Sequence, residues 1–128
     1  MSWDVLLLKE KCDLNDKDVD VPPLGNRDEI IRTLTALMAD LDYSDPTWGI
    51  LESDEFSIEF NTGREELVDS IMLHIRGGGD PLIIIKLICD HTGWGAFDTS
   101  TSDFMDTDKL SPESWLAFQK FRDRVIGK

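Results

Sequence analysis

The chain has 128 residues, 41% hydrophobic and 30% charged, and 26 acidic residues against 13 basic ones give it a formal net charge of −13. The length and composition are those of one soluble globular domain, so we expect a single domain over residues 1–128. Because nucleic acids and anionic lipids are polyanions, the acidic surplus argues against both as main partners and is compatible with a basic protein partner.

The first third of the chain predicts a strand, a loop and a helix. Residues 3–9 form a strand candidate, and residues 12–25 form an acidic loop closed by Pro and Gly. Asn26 is a favoured N-cap, and the helical spacing of the apolar residues after it predicts a helix over 27–41. The polar residues that follow predict a turn over 41–46.

The middle of the chain alternates between apolar and polar residues. Residues 48–52 predict a short strand, and residues 55–61 and 68–76 predict two longer ones. On the last two, Phe56, Ile58, Phe60 and their counterparts in 71–75 lie on one face, with polar residues on the other. Such alternation predicts an antiparallel sheet that is covered on one face only.

The last part of the chain predicts two more helices around a strand. After the glycines at 77–79, Asp80 is a cap candidate with Pro81 at the first helical position, and Gly93 ends a helix that runs to about residue 91. A strand over 94–98, an extended stretch at 104–105 and a final helix from residue 111 follow. The fold class is therefore α+β, with a mostly antiparallel sheet of four to five strands and three helices in the order β-α-β-β-β-α-β-α.

The outward face of the central strands carries the first candidate site. Glu59, His74 and Arg76 project from the side opposite the apolar residues, and Trp48 on the preceding strand is a secondary candidate. A carboxylate beside an imidazole has the geometry of a general base, but no nucleophile accompanies it. The alternative interpretation is a solvated face whose opposite charges pair across strands. If the face is functional, partner binding is favoured over catalysis.

The acidic loop carries the second candidate site, formed by Asp16, Asp18 and Asp20. Alternate aspartates can ligate calcium, but an EF-hand counted from Asp16 would require Gly and Glu where Val21 and Arg27 stand. The loop is predicted to be a solvated segment or an electrostatic contact for a basic partner.

The other motifs predict structure and no chemistry. The glycines before the second helix match no phosphate-binding motif and predict a tight turn. The two histidines and two cysteines lack zinc spacing, so we predict no metal and no cofactor. Two such cysteines and the absence of a leader or a membrane span favour a cytoplasmic location.

Several phrases of the sequence occur together in one known family. They are Trp3-Asp4-Val5, the segment SDPTWG from Ser44, SIEFN from Ser57, LHIRGGGD from Leu73, and Gly93-Trp94 followed by FDTST from Phe97. With these phrases in this order, the chain resembles a family of small, functionally uncharacterised bacterial cytosolic proteins. The resemblance implies a bacterial origin and a stand-alone domain, and it implies no functional residues. Size and acidity are also similar to those of bacterial toxin-immunity proteins.

Three functions remain open from the sequence. The first is a non-enzymatic binding protein whose acidic surface meets a basic protein, for example a toxin that it neutralises as an immunity or inhibitor protein. The second is a small-molecule-binding module or enzyme with a pocket near His74 and Trp94. The third is a structural protein that forms a homodimer through the open sheet face or an edge strand.

Overall fold

The computed structural model describes residues 3–14, 16, 18, 20–78 and 81–106. In chain order the elements of this part are β1 (Trp3–Leu8), β2 (Gly25–Asn26), α1 (Arg27–Leu37), β3 (Asp42–Asp45), β4 (Trp48–Glu52), β5 (Phe56–Asn61), β6 (Leu67–Val68), β7 (Ile71–Gly77), α2 (Leu82–Thr92), β8 (Gly95–Asp98) and β9 (Asp103–Phe104).

Seven of the strands form one sheet in the order β3-β4-β5-β7-β1-β8-β9, and β2 and β6 form a small separate ribbon. Every pair is antiparallel. The predicted α+β class and mostly antiparallel sheet are therefore confirmed. The predicted four to five strands were too few, because strands of two to four residues are too short to show an alternating pattern. The helix predicted from residue 111 lies outside the described residues.

The main core lies between one face of this sheet and the two described helices. Val5, Ile58, Phe60, Leu73 and their neighbours on β1, β5 and β7 are fully buried against apolar residues of α1 and α2. All seven residues at 83–89 of α2 are buried, so α2 is the more buried of the two described helices. The other face of the sheet, which carries no described helix, is called the outer face below.

Local signals set the helix ends. The Asn26 side chain accepts a hydrogen bond from the Asp28 N–H at the start of α1, and Gly93 adopts a left-handed conformation with φ 80° after α2, both as predicted. The end of α1 differs, because Met38 leaves the helical conformation four residues early. Met38 and Leu41 lie outside the helix but are still buried as apolar residues. Their spacing from the apolar residues of α1 is helical, which is why the sequence predicted a longer helix. No helix among the described residues is long and apolar enough to cross a membrane.

The prediction of a turn over 41–46 was wrong, because β3 occupies Asp42–Asp45 and pairs with β4 across an irregular register. Tyr43 holds this edge strand to the sheet. Its ring packs against Phe60 and over Gly49, and its hydroxyl lies 2.6 Å from the Thr62 Oγ1. A buried aromatic contact thus stabilises a segment whose composition is typical of a turn.

The single tyrosine of the chain permits a clean pH prediction. Burial raises the pKa of Tyr43 from 10.0 to about 12. The folded state therefore keeps a proton that the unfolded state releases near pH 10, so this contribution to stability is complete below pH 10 and is lost as the pH rises through 12. We expect tyrosinate absorbance at 295 nm to appear near pH 12 in the folded protein and near pH 10 in urea. A native midpoint near pH 10 would contradict the buried position of the hydroxyl.

Candidate functional site

The outer face is built by the alternation of side chains along six of the strands. Because the strands are in register, residues opposite those of the main core share this face. They comprise Trp48, Ile50 and Glu52 on β4, Ser57, Glu59 and Asn61 on β5, Met72, His74 and Arg76 on β7, Asp4 and Leu6 on β1, Phe97 on β8 and Phe104 on β9.

Five of these side chains form a connected group, the His74 cluster, consisting of Asp4, Trp48, Glu59, His74 and Arg76. His74 lies between Asp4 and Glu59 in the register of β1, β7 and β5. Its Nδ1 is 2.9 Å from the Asp4 Oδ1, and its ring stacks on Trp48 with centroids 5.8 Å apart and planes 18° apart. The imidazole is therefore fixed by a hydrogen-bond contact with Asp4 on its edge and an aromatic contact with Trp48 on its face.

Glu59 connects the indole to the guanidinium. Its Oε2 accepts a hydrogen bond from the Trp48 Nε1 at 3.3 Å, and its Oε1 accepts one from Arg76. Arg76 remains about half exposed, so this pair adds little stability and leaves donors facing solvent. The cluster therefore presents an indole, an imidazole and a guanidinium. Trp and Arg are enriched among the residues that contribute most of the binding energy at protein–protein interfaces.

The sequence placed Glu59, His74, Arg76 and Trp48 on one face, and the structure brings all four together. It changes the pairing, since the carboxylate bonded to the imidazole is Asp4 and not Glu59. Among the described residues, no hydroxyl or thiol is hydrogen-bonded to His74. The contacts therefore hold the ring in place and show no nucleophile that it would activate.

An acidic edge adjoins the His74 cluster. Residues 33–63 contain no Lys or Arg, and they carry seven acids, one of which is Glu59. The other six are exposed, and we call them the acidic edge: Asp40, Asp42, Asp45, Glu52, Asp54 and Glu55. These six exposed carboxylates lie beside β3, β4 and β5, and the nearby Arg76 guanidinium is paired with Glu59. A surface of this kind attracts cationic groups and speeds their encounter.

Two carboxylates of the acidic edge are held in place by their own turns. Asp42 accepts hydrogen bonds from the Ser44 hydroxyl and N–H, which lower the pKa of its carboxyl. Asp45 likewise accepts from the N–H and hydroxyl of Thr47, and these bonds lower its pKa. Both groups are therefore ionised well below neutral pH.

The acidic loop does not join this site. Asp16, Asp18 and Asp20 are exposed, and the Asp18 N–H donates to the Asp16 Oδ1 at 2.9 Å within the loop. The loop follows Leu8, at the end of β1 opposite to Asp4. The acidic loop and the His74 cluster, both predicted for partner binding, therefore lie at different places on the sheet.

The remaining candidates have structural positions. Trp94 is buried in the main core, so it lies on the other side of the sheet from His74. Burial raises the pKa of the Cys89 thiol to about 11, which disfavours the reactive thiolate. Gly77 belongs to β7, and the Gly78 N–H donates to the Glu55 carbonyl at 2.7 Å. Asp80 lies outside the described residues. Among those described, no three His, Cys, Asp or Glu side chains are grouped so as to hold a metal ion.

Comparison of the chain with protein-family models, with curated proteins and with solved structures gave no match. Sequence reasoning missed Asp4, although the alternation of β1 placed it opposite Val5, because the pairing of β1 with β7 joins residues about 70 apart. It also missed the acidic edge, whose signal was the absence of Lys and Arg from residues 33–63.

Proposed function

We propose that this protein is a non-enzymatic binding domain that takes a basic protein partner on its outer face. The observation that carries the proposal is the His74 cluster, in which Trp48 stacks on His74 while Glu59 bridges Trp48 and Arg76. The proposed partner is a toxin that this contact neutralises, because the size and acidity of the chain are similar to those of toxin-immunity proteins. The proposed location is the cytoplasm.

Two features support recognition at this face. Trp and Arg concentrate binding energy when a partner removes them from water, and Trp48 and Arg76 are only partly buried here. The acidic edge adjoins them and supplies the long-range attraction that raises association rates with a basic partner. The residues proposed to supply binding energy, Trp48 and Arg76, thus lie next to the carboxylates proposed to attract the partner, on neighbouring strands of one sheet.

The edge strands give little support to self-association by strand pairing. β3 has four residues, and its Ser44 N–H already donates to the Asp42 side chain. Within the described part of the sheet, the other edge strand is β9, which has two residues. Short, charged and irregular edges are the features by which sheets avoid pairing with a second chain.

Alanine substitution at the cluster tests the proposal. We expect Trp48→Ala to weaken binding of the partner, once recovered from the native host, by about 30-fold or more, the effect of losing a residue worth about 2 kcal/mol. Titration calorimetry with the purified partner gives the dissociation constant. His74→Ala, which removes the stacking surface under the indole, should act in the same direction.

Leu67→Ala is the matched control, because Leu67 is a large apolar residue that is 57% exposed on the separate β2–β6 ribbon. It should bind the partner as the wild type does. Thermal unfolding of all three variants shows that the fold is intact. Wild-type affinity in both cluster variants would refute the site.

A further inference from the structure

An apolar row crosses the outer face from one side to the other. In the strand register, Trp48 is followed across the sheet by Asn61, Met72, Leu6, Phe97 and Phe104. All but Asn61 are apolar or aromatic, and Phe97 and Phe104 contact edge to face with centroids 5.3 Å apart. At about 4.8 Å per strand the row is about 24 Å long.

This row does not belong to the main core. Its five apolar members are partly exposed, and none is part of the core cluster or packs against it. Ile50, on the same face beside Trp48, is 37% exposed. Apolar side chains that share one sheet face and stay partly exposed, with no described helix packed on them, mark an interaction surface more often than single exposed residues do.

We propose that the apolar row and the acidic edge form one docking surface, which takes a protein segment with an apolar centre and a basic rim. The inference builds on the proposed function and specifies the partner's chemistry. The apolar centre would cover Trp48, Ile50 and the row, while Lys and Arg of the rim would face Asp42, Asp45 and Glu52. In such a contact, burial of apolar surface provides most of the binding free energy. The opposite charges orient the partner and raise the rate of association.

Charge selects this occupant over a second copy of the chain. The outer face carries Glu52 in addition to the Glu59–Arg76 and Asp4–His74 pairs, and in the strand register Asp42 and Asp45 of the acidic edge lie opposite Ile50 and Trp48 of this face. Two copies stacked face to face would bring these carboxylates together, which costs free energy. A basic rim meets the same carboxylates with opposite charge.

Two peptides of equal charge test the apolar part of the surface. The probes are (Lys-Leu)6 and (Lys-Ser)6, titrated separately into the ¹⁵N-labelled full chain. We expect (Lys-Leu)6 to bind about tenfold more tightly, as burial of leucine side chains requires. Its amide shifts should concentrate at Leu6, Ile50, Met72 and Phe97. Equal affinities, or shifts centred on exposed Leu67 of the ribbon, would overturn the proposal.

Matched charge variants test the acidic part. The edge variant carries Asp42→Asn, Asp45→Asn and Glu52→Gln, in which the amide oxygens keep the turn acceptors. The loop variant carries Asp16→Asn, Asp18→Asn and Asp20→Asn. Each removes three of the negative charges and leaves a net charge of −10. We expect the edge variant to bind (Lys-Leu)6 about fivefold more weakly and the loop variant to match the wild type. Equal weakening in both would overturn the assignment.

These outcomes are separable from failure of the proposed function. Wild-type affinity for the native partner in Trp48→Ala would remove the proposed function, even if the peptides map to the outer face. Peptide binding elsewhere would remove the docking surface, even if Trp48→Ala abolishes partner binding. A concentration-dependent dimer in light scattering, with the outer-face amides protected from exchange, would overturn the choice of occupant.

Discussion

Gly77→Ala is expected to lower the free energy of unfolding by about 3 kcal/mol, a large part of the total stability of a domain of this size. Gly77 has φ 101°, a conformation that costs L-residues about 1–2 kcal/mol. An added Cβ would also lie 2.6 Å from the Glu55 carbonyl oxygen and 2.9 Å from the Phe56 Cα. These contacts are with backbone, so the β5–β7 pairing must shift to relieve them. Urea unfolding measures the loss.

Gly78→Ala is the matched control for this prediction. It makes the same change one residue later, where, among the described residues, a Cβ would meet the Glu55 carbonyl oxygen alone, at 4.0 Å. We expect it to change the free energy of unfolding by less than about 1 kcal/mol. A phosphate-binding role for the glycines would make no such distinction in stability. Equal stability of the two variants would show that the β5–β7 contact is not as close as described.

Gly49→Ala is expected to give the second large loss of stability, lowering the free energy of unfolding by about 2–3 kcal/mol, because overpacking against a fixed aromatic ring is costly. An added Cβ would lie 2.6 Å from two ring carbons of Tyr43. The Tyr43 ring cannot move away freely, since its hydroxyl is hydrogen-bonded to buried Thr62 and the ring packs edge to face on Phe60. Thermal and urea unfolding would both report the change.

A double-mutant cycle isolates the cause. In the Tyr43→Ala background the ring is gone, and Gly49→Ala should then cost less than about 1 kcal/mol, giving a coupling energy of about 1–2 kcal/mol between the two sites. If the two losses simply add, the contact between Tyr43 and Gly49 does not hold β3 to the sheet.

The parts of the fold that sequence predicts well have strong local signals. β5 and β7 alternate in polarity, Asn26 caps α1, and Gly93 ends α2, so each of these elements carries its own evidence. The same alternation placed Glu59, His74 and Arg76 on one face. These features depend on residues within a few positions of each other along the chain.

The parts that sequence did not predict depend on distant contacts. The sequence of β3, DYSD, is typical of a turn. Its pairing with β4 is stabilised by the Tyr43 ring, which packs against Gly49, and this contact cannot be predicted from local sequence. Asp4 joins His74 only because β1 lies next to β7, a pairing for which the local pattern holds no signal. The apolar row likewise cannot be recognised until the strand order is known, since its five apolar members come from five separate strands and lie between Leu6 and Phe104 in the sequence.

Capture from the native host with paired baits tests the central claim, that a basic protein binds the outer face. The baits are the tagged wild type, Trp48→Ala and the loop variant, each at low and moderate salt. We expect one stoichiometric basic protein to be retained by the wild type and the loop variant, to be lost with Trp48→Ala, and to weaken as salt rises. A partner that Trp48→Ala retains as fully as the wild type, or no stoichiometric basic protein on any bait, would contradict the account.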